Sequence, residues 1–409
     1  MDDILLPSLK HTAIIQEDQH INYAVLYEIV QKKRRQLAYL GLKPKDRIRI
    51  PAKTDIQTIA LLFACMYSNI DIFLVNMRLP SFFIEKELTG FRPLDFSSLT
   101  KEAPFPDTSI RDSQTYIFTS GTSAKPKIAI HSFENHYYSA LGANENMPLG
   151  PGDKWLLSLP LYHVGGLAIL FRCFLAGATA VIHTKTPEYI THLSYVPTQL
   201  YRLENPPPNL KCILVGGAKL SRDLYNQKKH LPLYLTYGMT EMSSQIVTTQ
   251  SPIWKEGAPF LGFPLKYREI KIHNGELFVK GKTLFQGYLD SPFQKDWFST
   301  GDLAEIDPEL GLRILGRKDR QFISGGENIQ PAEIERALLS LPHVLGARVI
   351  PYPDPEFGMR PLAFIKHDNT FIEEEIKALL KNKLASFKVP DRIYPHSQLS
   401  SFSFKNTII

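Results

Sequence analysis

The sequence predicts an α/β fold with a large N-terminal domain, residues 1–318, followed by a small α+β domain, residues 319–409. Short apolar strand-like runs alternate with helical patterns through most of the chain. After about Phe260 the strand-like pieces are separated by Gly and Asp, and from Pro331 two helical patterns flank two strands. Two domains are expected because 409 residues exceed the roughly 250–300 residues at which one core stops growing.

The individual elements follow in chain order from the same patterns. A helical pattern from Leu26 to Leu40 carries the basic run at residues 32–35, which we interpret as a solvated helix face rather than a nucleic-acid patch. The other elements of the first part are a strand Arg47–Ile50, a helix Ile56–Tyr67 and strands Ile70–Val75, Ala178–His183 and Lys211–Val215. The later elements are strands Glu269–Ile272, Leu277–Lys280 and Leu312–Leu315, a helix Ala332–Leu339, strands Ala347–Pro351 and Leu362–Ile365, and a helix Phe371–Leu384.

Composition and charge exclude several classes of protein. A hydrophobic fraction of 44% and a charged fraction of 22% are typical of globular proteins. The net charge of +6 suits anionic ligands such as nucleotides and carboxylates, and no nucleic-acid partner is expected. Cys65, Cys173 and Cys212 show neither a disulfide framework nor metal-ligand spacing. The acidic N-terminus, and the interruption of the apolar stretch Val164–Ile182 by Arg172, predict a cytoplasmic protein without a membrane span.

A segment crowded with hydroxyls lies between two strand-like runs, Tyr116–Phe118 and Ile128–Ile130. Polyphosphate binding requires hydroxyl donors, a tight backbone and a cation in one loop. The hydroxyl donors are Thr119, Ser120, Thr122 and Ser123. Gly121 permits the tight backbone, and Lys127 supplies the cation. The segment is not a Walker P-loop, because Lys127 follows Pro126 and precedes Ile128. A plain polar hairpin turn is the alternative.

This loop resembles the phosphate signature of the adenylate-forming superfamily, which contains acyl-CoA ligases, luciferases and peptide-synthetase adenylation domains. It departs from that signature at Ser123, where Thr is usual, and at Ala124, where Gly is usual. Ala124 would introduce strain of about 1 kcal/mol if the position requires a positive φ. The resemblance implies a large domain of stacked αβ subdomains with a small β region, and a mobile small domain. It also implies ATP, Mg²⁺ and coenzyme A as ligands.

Further motifs resemble the superfamily in its order. The segment Tyr237-Gly238-Met-Thr-Glu241 follows a strand at Leu233–Leu235, and a tight turn is expected there. The resemblance implies that Tyr237 stacks on adenine, Thr240 contacts phosphate and Glu241 holds Mg²⁺, for which a carboxylate is a suitable ligand. A surface carboxylate that caps a turn is the alternative for Glu241. Gly216, Gly217 and Ala218 resemble the loop on the adenine side.

The last motifs lie at the expected domain boundary and beyond it. Thr300-Gly-Asp302 follows the pattern of a strand end whose Asp accepts from ribose hydroxyls, and a simple turn is the alternative. The resemblance implies that Arg317 contacts ribose, Asp319 is the hinge, and Gly325 and Gly326 line the route of coenzyme A. Lys405 is the candidate catalytic lysine, although Phe404 stands where the family has Gly. A plain C-terminal charge is the alternative for Lys405.

Segments around His163, residues 191–200 and residues 242–245 are most similar to the o-succinylbenzoate–CoA ligases of menaquinone biosynthesis. Arg172 stands alone in an apolar stretch, where a charge is costly unless it is paired, and a second carboxylate on the substrate would pair it. The alternatives are that Arg172 pairs with an Asp or Glu of this chain, or that its side chain reaches the surface. The predicted acyl-pocket residues are His163, Arg172, Ser194, Thr198 and Ser243. A structural histidine is the alternative for His163.

Two other functions remain open from the sequence. One is an acyl-CoA ligase for another aryl or medium-chain acid. The other is a degenerate, non-catalytic nucleotide-binding protein, which Ala124 and the C-terminal departures at Phe404 would allow. The expected partners are a small carboxylic acid, ATP and coenzyme A, and the oligomeric state is open, with a homodimer among the alternatives.

Overall fold

The computed structural model describes residues 10–105, 112–119, 127–184, 187–293, 296–324, 327–354, 357–368 and 372–401. The chain divides into two compact units. The first comprises residues 1–251, 263–269 and 279–298, and the second comprises residues 252–262, 270–278 and 299–409. The domain boundary expected between residues 318 and 319 lies within the second unit and stays a prediction.

The described helices and strands are as follows. The helices are α1 (Tyr23–Tyr39), α2 (Ile56–Tyr67), α3 (Ser81–Glu87), α4 (Phe133–Asn144), α5 (Val164–Ala176), α6 (Pro197–Tyr201), α7 (Arg222–Lys228), α8 (Pro331–Leu339) and α9 (Glu373–Lys381). Strands β1 to β13 are Thr12–Gln16, Gln19–Asn22, Arg47–Pro51, Asp71–Val75, Arg92–Pro93, Gln114–Phe118, Ile128–Ser132, Lys154–Leu156, Thr179–Val181, His192–Tyr195, Cys212–Val215, Leu233–Met239 and Ser244–Thr249. Strands β14 to β26 are Ile253–Lys255, Ala258–Phe260, Arg268–His273, Glu276–Gly281, Gly287–Tyr288, Ser291–Pro292, Phe298–Asp307, Gly311–Arg317, Phe322–Ser324, Glu327–Ile329, Val344–Asp354, Gly358–His367 and Arg392–Pro395.

Two large mixed sheets form the first unit. One has the order β13-β12-β11-β10-β8-β9-β1-β2 and the other β19-β18-β7-β6-β4-β3-β5. The interior pairs of the first sheet, such as β8 with β10 and β11 with β12, are parallel, whereas its edge pair β12 and β13 is antiparallel. In the second sheet β3 and β4 are parallel and β6 and β7 form an antiparallel hairpin. The prediction of an α/β fold is confirmed.

One apolar core connects these two sheets. Helix α2 is buried on every side apart from Gln57, as its almost wholly apolar sequence requires. The ring of Phe63 on α2 packs 5.6 Å from Phe171 and 5.2 Å from Phe174, both on α5. The same cluster contains Ile50 from the second sheet and Leu214 from the first. Helices α2 and α5 therefore share one core with a strand of each sheet.

The later part of the chain is more antiparallel, as predicted. A six-stranded sheet has the order β14-β15-β21-β20-β17-β16, and β20 and β21 pair in antiparallel fashion. The second unit contains α8, α9 and a three-stranded sheet of β24, β25 and β26. The predicted helix Phe371–Leu384 begins at Phe371, outside the described residues, and the observed helix is Glu373–Lys381, which ends before the predicted Leu384. Among the described residues, no helix is long and apolar enough to cross a membrane.

Candidate active site

The carboxyl ends of parallel strands in the first sheet converge on one edge, which is where open α/β sheets bind ligands. Gly216 and Gly217 follow β11 directly, and Gly217 has a φ of +76°. A Cβ on Gly216 would lie 2.6 Å from Cγ2 of Thr236 on the neighbouring strand. Gly217 and Ala218 are exposed. Small residues therefore leave open backbone beside Tyr237, as the predicted adenine loop requires.

The predicted turn after Leu235 is wrong in one respect. Strand β12 continues to Met239, so Tyr237 lies on the strand, and pairing with β13 is irregular between Tyr237 and Gly238. The turn follows as a short 3₁₀ helix, Thr240–Met242. The strand is extended because β13 returns along it and pairs through Met239 with Ser244.

The predicted phosphate loop connects β6 and β7. Phe118 pairs with Ile128, and the backbone N–H of Thr119 donates to the carbonyl of Lys127 over 2.8 Å. The loop is therefore closed at its base, and Thr119 is buried. Ser120, Gly121, Thr122, Ser123 and Ala124 lie outside the described residues, so their predicted role stays a prediction.

Lys127 and Glu241 meet at a common residue, Tyr288. The Lys127 ammonium lies 4.8 Å from the centre of the Tyr288 ring, and the Tyr288 hydroxyl donates to Oε1 of Glu241 over 2.7 Å. The end of the hydroxyl-rich loop and the acidic turn therefore lie beside each other, as binding of one triphosphate would require. Glu241 is buried, with an exposed fraction of 8%.

A buried histidine holds the same turn. Nε2 of His131 lies 2.7 Å from the carbonyl oxygen of Thr240, so this nitrogen carries the proton and donates. Burial lowers the pKa of His131 to about 4, and the ring is neutral near pH 7. His136, 5.2 Å away between ring centres, is also buried, and burial lowers its pKa well below its usual value. The turn is thus held by an uncharged donor.

The donor set at Glu241 fits Mg²⁺ bound together with a phosphate. Oε2 of Glu241 makes no hydrogen bond or ion pair with the described residues. In the described part of the chain, no three His, Cys, Asp or Glu side chains form a group that could hold a metal. Mg²⁺ commonly takes only one or two protein carboxylates and completes its shell with substrate phosphate and water. Glu241 can fill that role.

Arg172 is a buried cation on α5 with few partners. Its exposed fraction is 1%, and its Nη2 donates to Oγ of Ser244 over 3.2 Å. Its guanidinium lies 5.5 Å from the centre of the Trp155 ring, and Nε has no hydrogen-bond partner among the described residues. Burial lowers the pKa of Arg172 to about 10, so it stays charged near pH 7. None of its contacts with the described residues is a carboxylate, as the prediction of a substrate partner requires.

A second buried cation, Arg268, differs from Arg172 in its partners. Nε donates to the carbonyl of Gln245 over 2.5 Å, Nη1 to that of Lys266 over 2.8 Å, and Nη2 to that of Ser139 over 2.9 Å. Burial, and then the charge of Arg172, lower the pKa of Arg268 to about 9. Arg268 is therefore satisfied by backbone carbonyls, whereas Arg172 is not.

The other predicted acyl-pocket residues occupy different surroundings. Ser194 is buried and accepts a hydrogen bond from Nε1 of Trp155 over 3.1 Å, which places it near Arg172. Ser243 is fully buried, and its hydroxyl donates to the carbonyl of Thr283 over 2.9 Å. Thr198 on α6 and His163 at the start of α5 are exposed. The role of each in acid binding stays a prediction.

Three predicted residues form a cluster within the second unit. Nη1 of Arg317 lies 3.3 Å from Oδ1 of Asp302, and Nε of Arg317 lies 3.3 Å from Oδ1 of Asp319. Asp302 lies inside β20 rather than at a strand end, and Gly301 before it has a φ of +71°. Gly325, Gly326 and Lys405 lie outside the described residues. The ribose, hinge, coenzyme A and catalytic-lysine roles stay predictions.

Sequence reasoning missed four residues of the first unit that contact predicted ones: Trp155, Ser244, Tyr288 and His131. Ser244 follows Ser243 directly and contacts Arg172, whereas the role of Ser243 in acid binding stays a prediction. Trp155 lies on β8 and Tyr288 on β18, far in sequence from their partners. No local pattern marks such contacts, because they depend on how the strands assemble.

Comparison with known proteins agrees with this geometry. The model of the AMP-binding enzyme family matches residues 84–289, and that of the AMP-binding enzyme C-terminal domain matches residues 333–401. A 2-succinylbenzoate–CoA ligase from Bacillus licheniformis is 33% identical, over 92% of this chain and 91% of the relative.

Two solved structures have similar folds. The o-succinylbenzoate CoA synthetase (MenE) from Bacillus subtilis, in complex with the acyl-adenylate intermediate OSB-AMP, has a TM-score of 0.81 and 29% identity, covering 94% of this chain and 91% of that one. The same enzyme in complex with ATP and magnesium ion has a TM-score of 0.80 and 29% identity, with coverage of 94% and 93%.

Proposed function

The chain belongs to the AMP-binding enzyme family, and from this membership we propose that it is an AMP-forming ligase that joins 2-succinylbenzoate to coenzyme A. The predicted family is confirmed. The acid is supported by the relatives' activity and by one observation in this structure, the buried Arg172. A fully buried guanidinium without a carboxylate partner among the described residues is costly, and a second substrate carboxylate would offset that cost.

The proposed reaction has two steps. A carboxylate oxygen of the acid attacks the α-phosphorus of ATP, the bond to the bridging oxygen breaks, and pyrophosphate leaves. The sulfur of coenzyme A then attacks the acyl carbonyl, the thiol proton is lost to solvent, and AMP leaves with the anhydride oxygen. The products are the thioester, AMP and pyrophosphate.

The residues of this chain would act mainly by position and charge, since phosphoryl-type transfer needs little covalent help. Lys127 would supply a cation at the base of the loop, and Thr240 keeps its predicted contact with phosphate. Arg172 would hold the second carboxylate of the acid. Mg²⁺ held by Glu241 would neutralise phosphate charge. Lys405, Asp302, Arg317 and Asp319 keep the roles predicted from the sequence, and a cytoplasmic homodimer is part of the proposal.

Thioester formation tests the proposal directly. The purified protein is incubated with ATP, Mg²⁺, coenzyme A and 2-succinylbenzoate, and the thioester is detected by mass spectrometry while pyrophosphate release is followed. The matched substrate is the same acid without its aromatic carboxylate. Release with 2-succinylbenzoate should exceed release with the matched acid at least about tenfold, because the matched acid leaves Arg172 unpaired.

Two other results would point elsewhere. A preference for the matched acid, or for a medium-chain acid, would overturn the choice of acid but retain the ligase. ATP binding without pyrophosphate release for any acid in an aryl and medium-chain panel would favour the non-catalytic alternative.

A further inference from the structure

Tyr288 connects two parts of the predicted nucleotide site that lie far apart in sequence. Its hydroxyl donates to Glu241, the residue suited to Mg²⁺, and its ring lies under the ammonium of Lys127. These are two different contacts from one side chain, one through the hydroxyl and one through the face of the ring. Tyr288 lies outside the motifs described above.

The backbone around Tyr288 is anchored on both sides. Tyr288 pairs with Ala129 on β7, and the N–H of Leu289 donates to the carbonyl of Ile128 over 2.9 Å. On the other side, the N–H of Phe285 donates to the carbonyl of Glu241 over 2.9 Å. The hydroxyl is therefore presented to Glu241 by fixed backbone and not by a loop that must first become ordered.

We infer that Tyr288 is a positioning residue for MgATP, which orients the Glu241 carboxylate toward Mg²⁺ and holds the Lys127 ammonium beside the phosphates. This inference rests on the proposed function. The hydroxyl occupies Oε1 of Glu241 and leaves Oε2 for the ion, so the carboxylate presents one defined oxygen. Residues that orient a metal ligand in this way typically account for about 10- to 100-fold in metal affinity or activity.

The test separates the two contacts by substitution. Tyr288→Phe removes the hydroxyl and keeps the ring, whereas Tyr288→Leu removes both. Tyr138→Phe is the matched control, because Lys282 lies 4.3 Å from the centre of the Tyr138 ring and contacts its hydroxyl over 3.2 Å. ATP binding is measured by calorimetry over a series of Mg²⁺ concentrations without any acid, so that the identity of the acid does not enter.

We expect Tyr288→Phe to raise the Mg²⁺ concentration for half-maximal ATP binding about tenfold, with ATP affinity at saturating Mg²⁺ unchanged. Tyr288→Leu should also weaken binding at saturating Mg²⁺, by about two- to fivefold, through the lost contact with Lys127. Tyr138→Phe should behave as the unchanged protein.

In a Glu241→Gln background, Tyr288→Phe should have no further effect on the Mg²⁺ dependence, a result that a general loss of structure would not give.

Each contrary outcome has a distinct meaning. Unaltered Mg²⁺ dependence in Tyr288→Phe, an equal shift in Tyr138→Phe, or loss of folded protein in Tyr288→Phe would overturn this inference alone. Absence of Mg²⁺-dependent ATP binding by the unchanged protein would overturn the proposed function and, with it, the role of Tyr288.

Discussion

Two buried arginines in the first unit, Arg172 and Arg268, differ in their hydrogen-bond partners rather than in burial. Arg268 donates to three backbone carbonyls, so its charge is spread over fixed dipoles. Arg172 is also buried, yet among the described residues we find only the Ser244 hydroxyl and the Trp155 ring against its guanidinium. An anion is the ligand that would complete the surroundings of Arg172.

Replacing Arg172 should therefore affect one substrate group selectively. Arg172→Gln is expected to raise KM for 2-succinylbenzoate by about 10- to 100-fold, the value of hydrogen bonds to a charged group, and to leave KM for the acid without an aromatic carboxylate nearly unchanged. Initial rates of pyrophosphate release measure both. Arg268→Gln is the control, expected to lower the melting temperature without changing the ratio of kcat/KM between the acids. An equal loss for both acids in Arg172→Gln would contradict the assignment.

For individual residues, the sequence indicated which side chains need a partner, but it did not indicate which residues they contact. Arg172 was identified because a lone charge in an apolar run needs a partner, and that argument uses only neighbours in sequence. Trp155 under its guanidinium, and Tyr288 between Lys127 and Glu241, could not be predicted because they come from other strands. Ser243 and Ser244 are adjacent in the sequence, yet Ser244 contacts Arg172 and Ser243 contacts Thr283, a difference that local sequence does not encode.

Among the elements, β12 and β13 determine the shape of the site. Gly238 lies where β13 passes closest, and a Cβ there would come within 2.0 Å of the carbonyl oxygen of Ser244. The same crossing places Ser244 against Arg172 and leads into the turn that carries Glu241. Gly238 thus allows the close pairing of β12 and β13 that brings Ser244 to Arg172 and leads into the turn carrying Glu241, the residues for which we propose acid and metal binding.

Gly238→Ala should separate these strands. We expect a loss of about 1–3 kcal/mol in the free energy of unfolding, the usual cost of overpacking, together with weaker binding of both ATP and acid. Urea unfolding and substrate KM values measure the two effects. Gly90→Ala is the control, since a Cβ on the exposed Gly90 would meet nothing within 4 Å. Unchanged stability in Gly238→Ala would show that β13 can move without cost.

The elements themselves were largely predictable, and their ends were not. Helix α2 matches the prediction because its apolar run ends where Ser68 and Asn69 begin. Strand β12 extends past the predicted Leu235 because β13 pairs with it, a contact that local sequence does not encode. Helix α9 ends at Lys381 rather than at the predicted Leu384, because Leu384 packs against the core without being helical.

At the scale of the whole molecule, the fold buries two histidines, His131 and His136, beside the turn that carries Glu241, and burial keeps both rings neutral near pH 7. His131 supports the Thr240 carbonyl, and His136 lies beside it with its own bond to Thr115, Nε2 to Oγ1, over 2.7 Å. Burial lowers the pKa of both rings, so the folded protein excludes protons that the unfolded chain accepts. The free energy of unfolding must then decrease as the pH falls.

The sign and range of this effect follow from His131. Its pKa is 6.5 in the unfolded chain and about 4 in the folded protein, so stability is lost as the pH falls from 6.5 toward 4, by about 3 kcal/mol from this group. Urea unfolding at pH 7 and pH 4.5 should show a smaller loss in His131→Gln than in the unchanged protein, because glutamine takes up no proton and its amide can still donate to Thr240. The exposed His20→Gln serves as control and should keep the original pH dependence. Parallel curves for His131→Gln and the unchanged protein would mean that the buried ring accepts its proton without cost, and that the turn carrying Glu241 does not require a neutral donor.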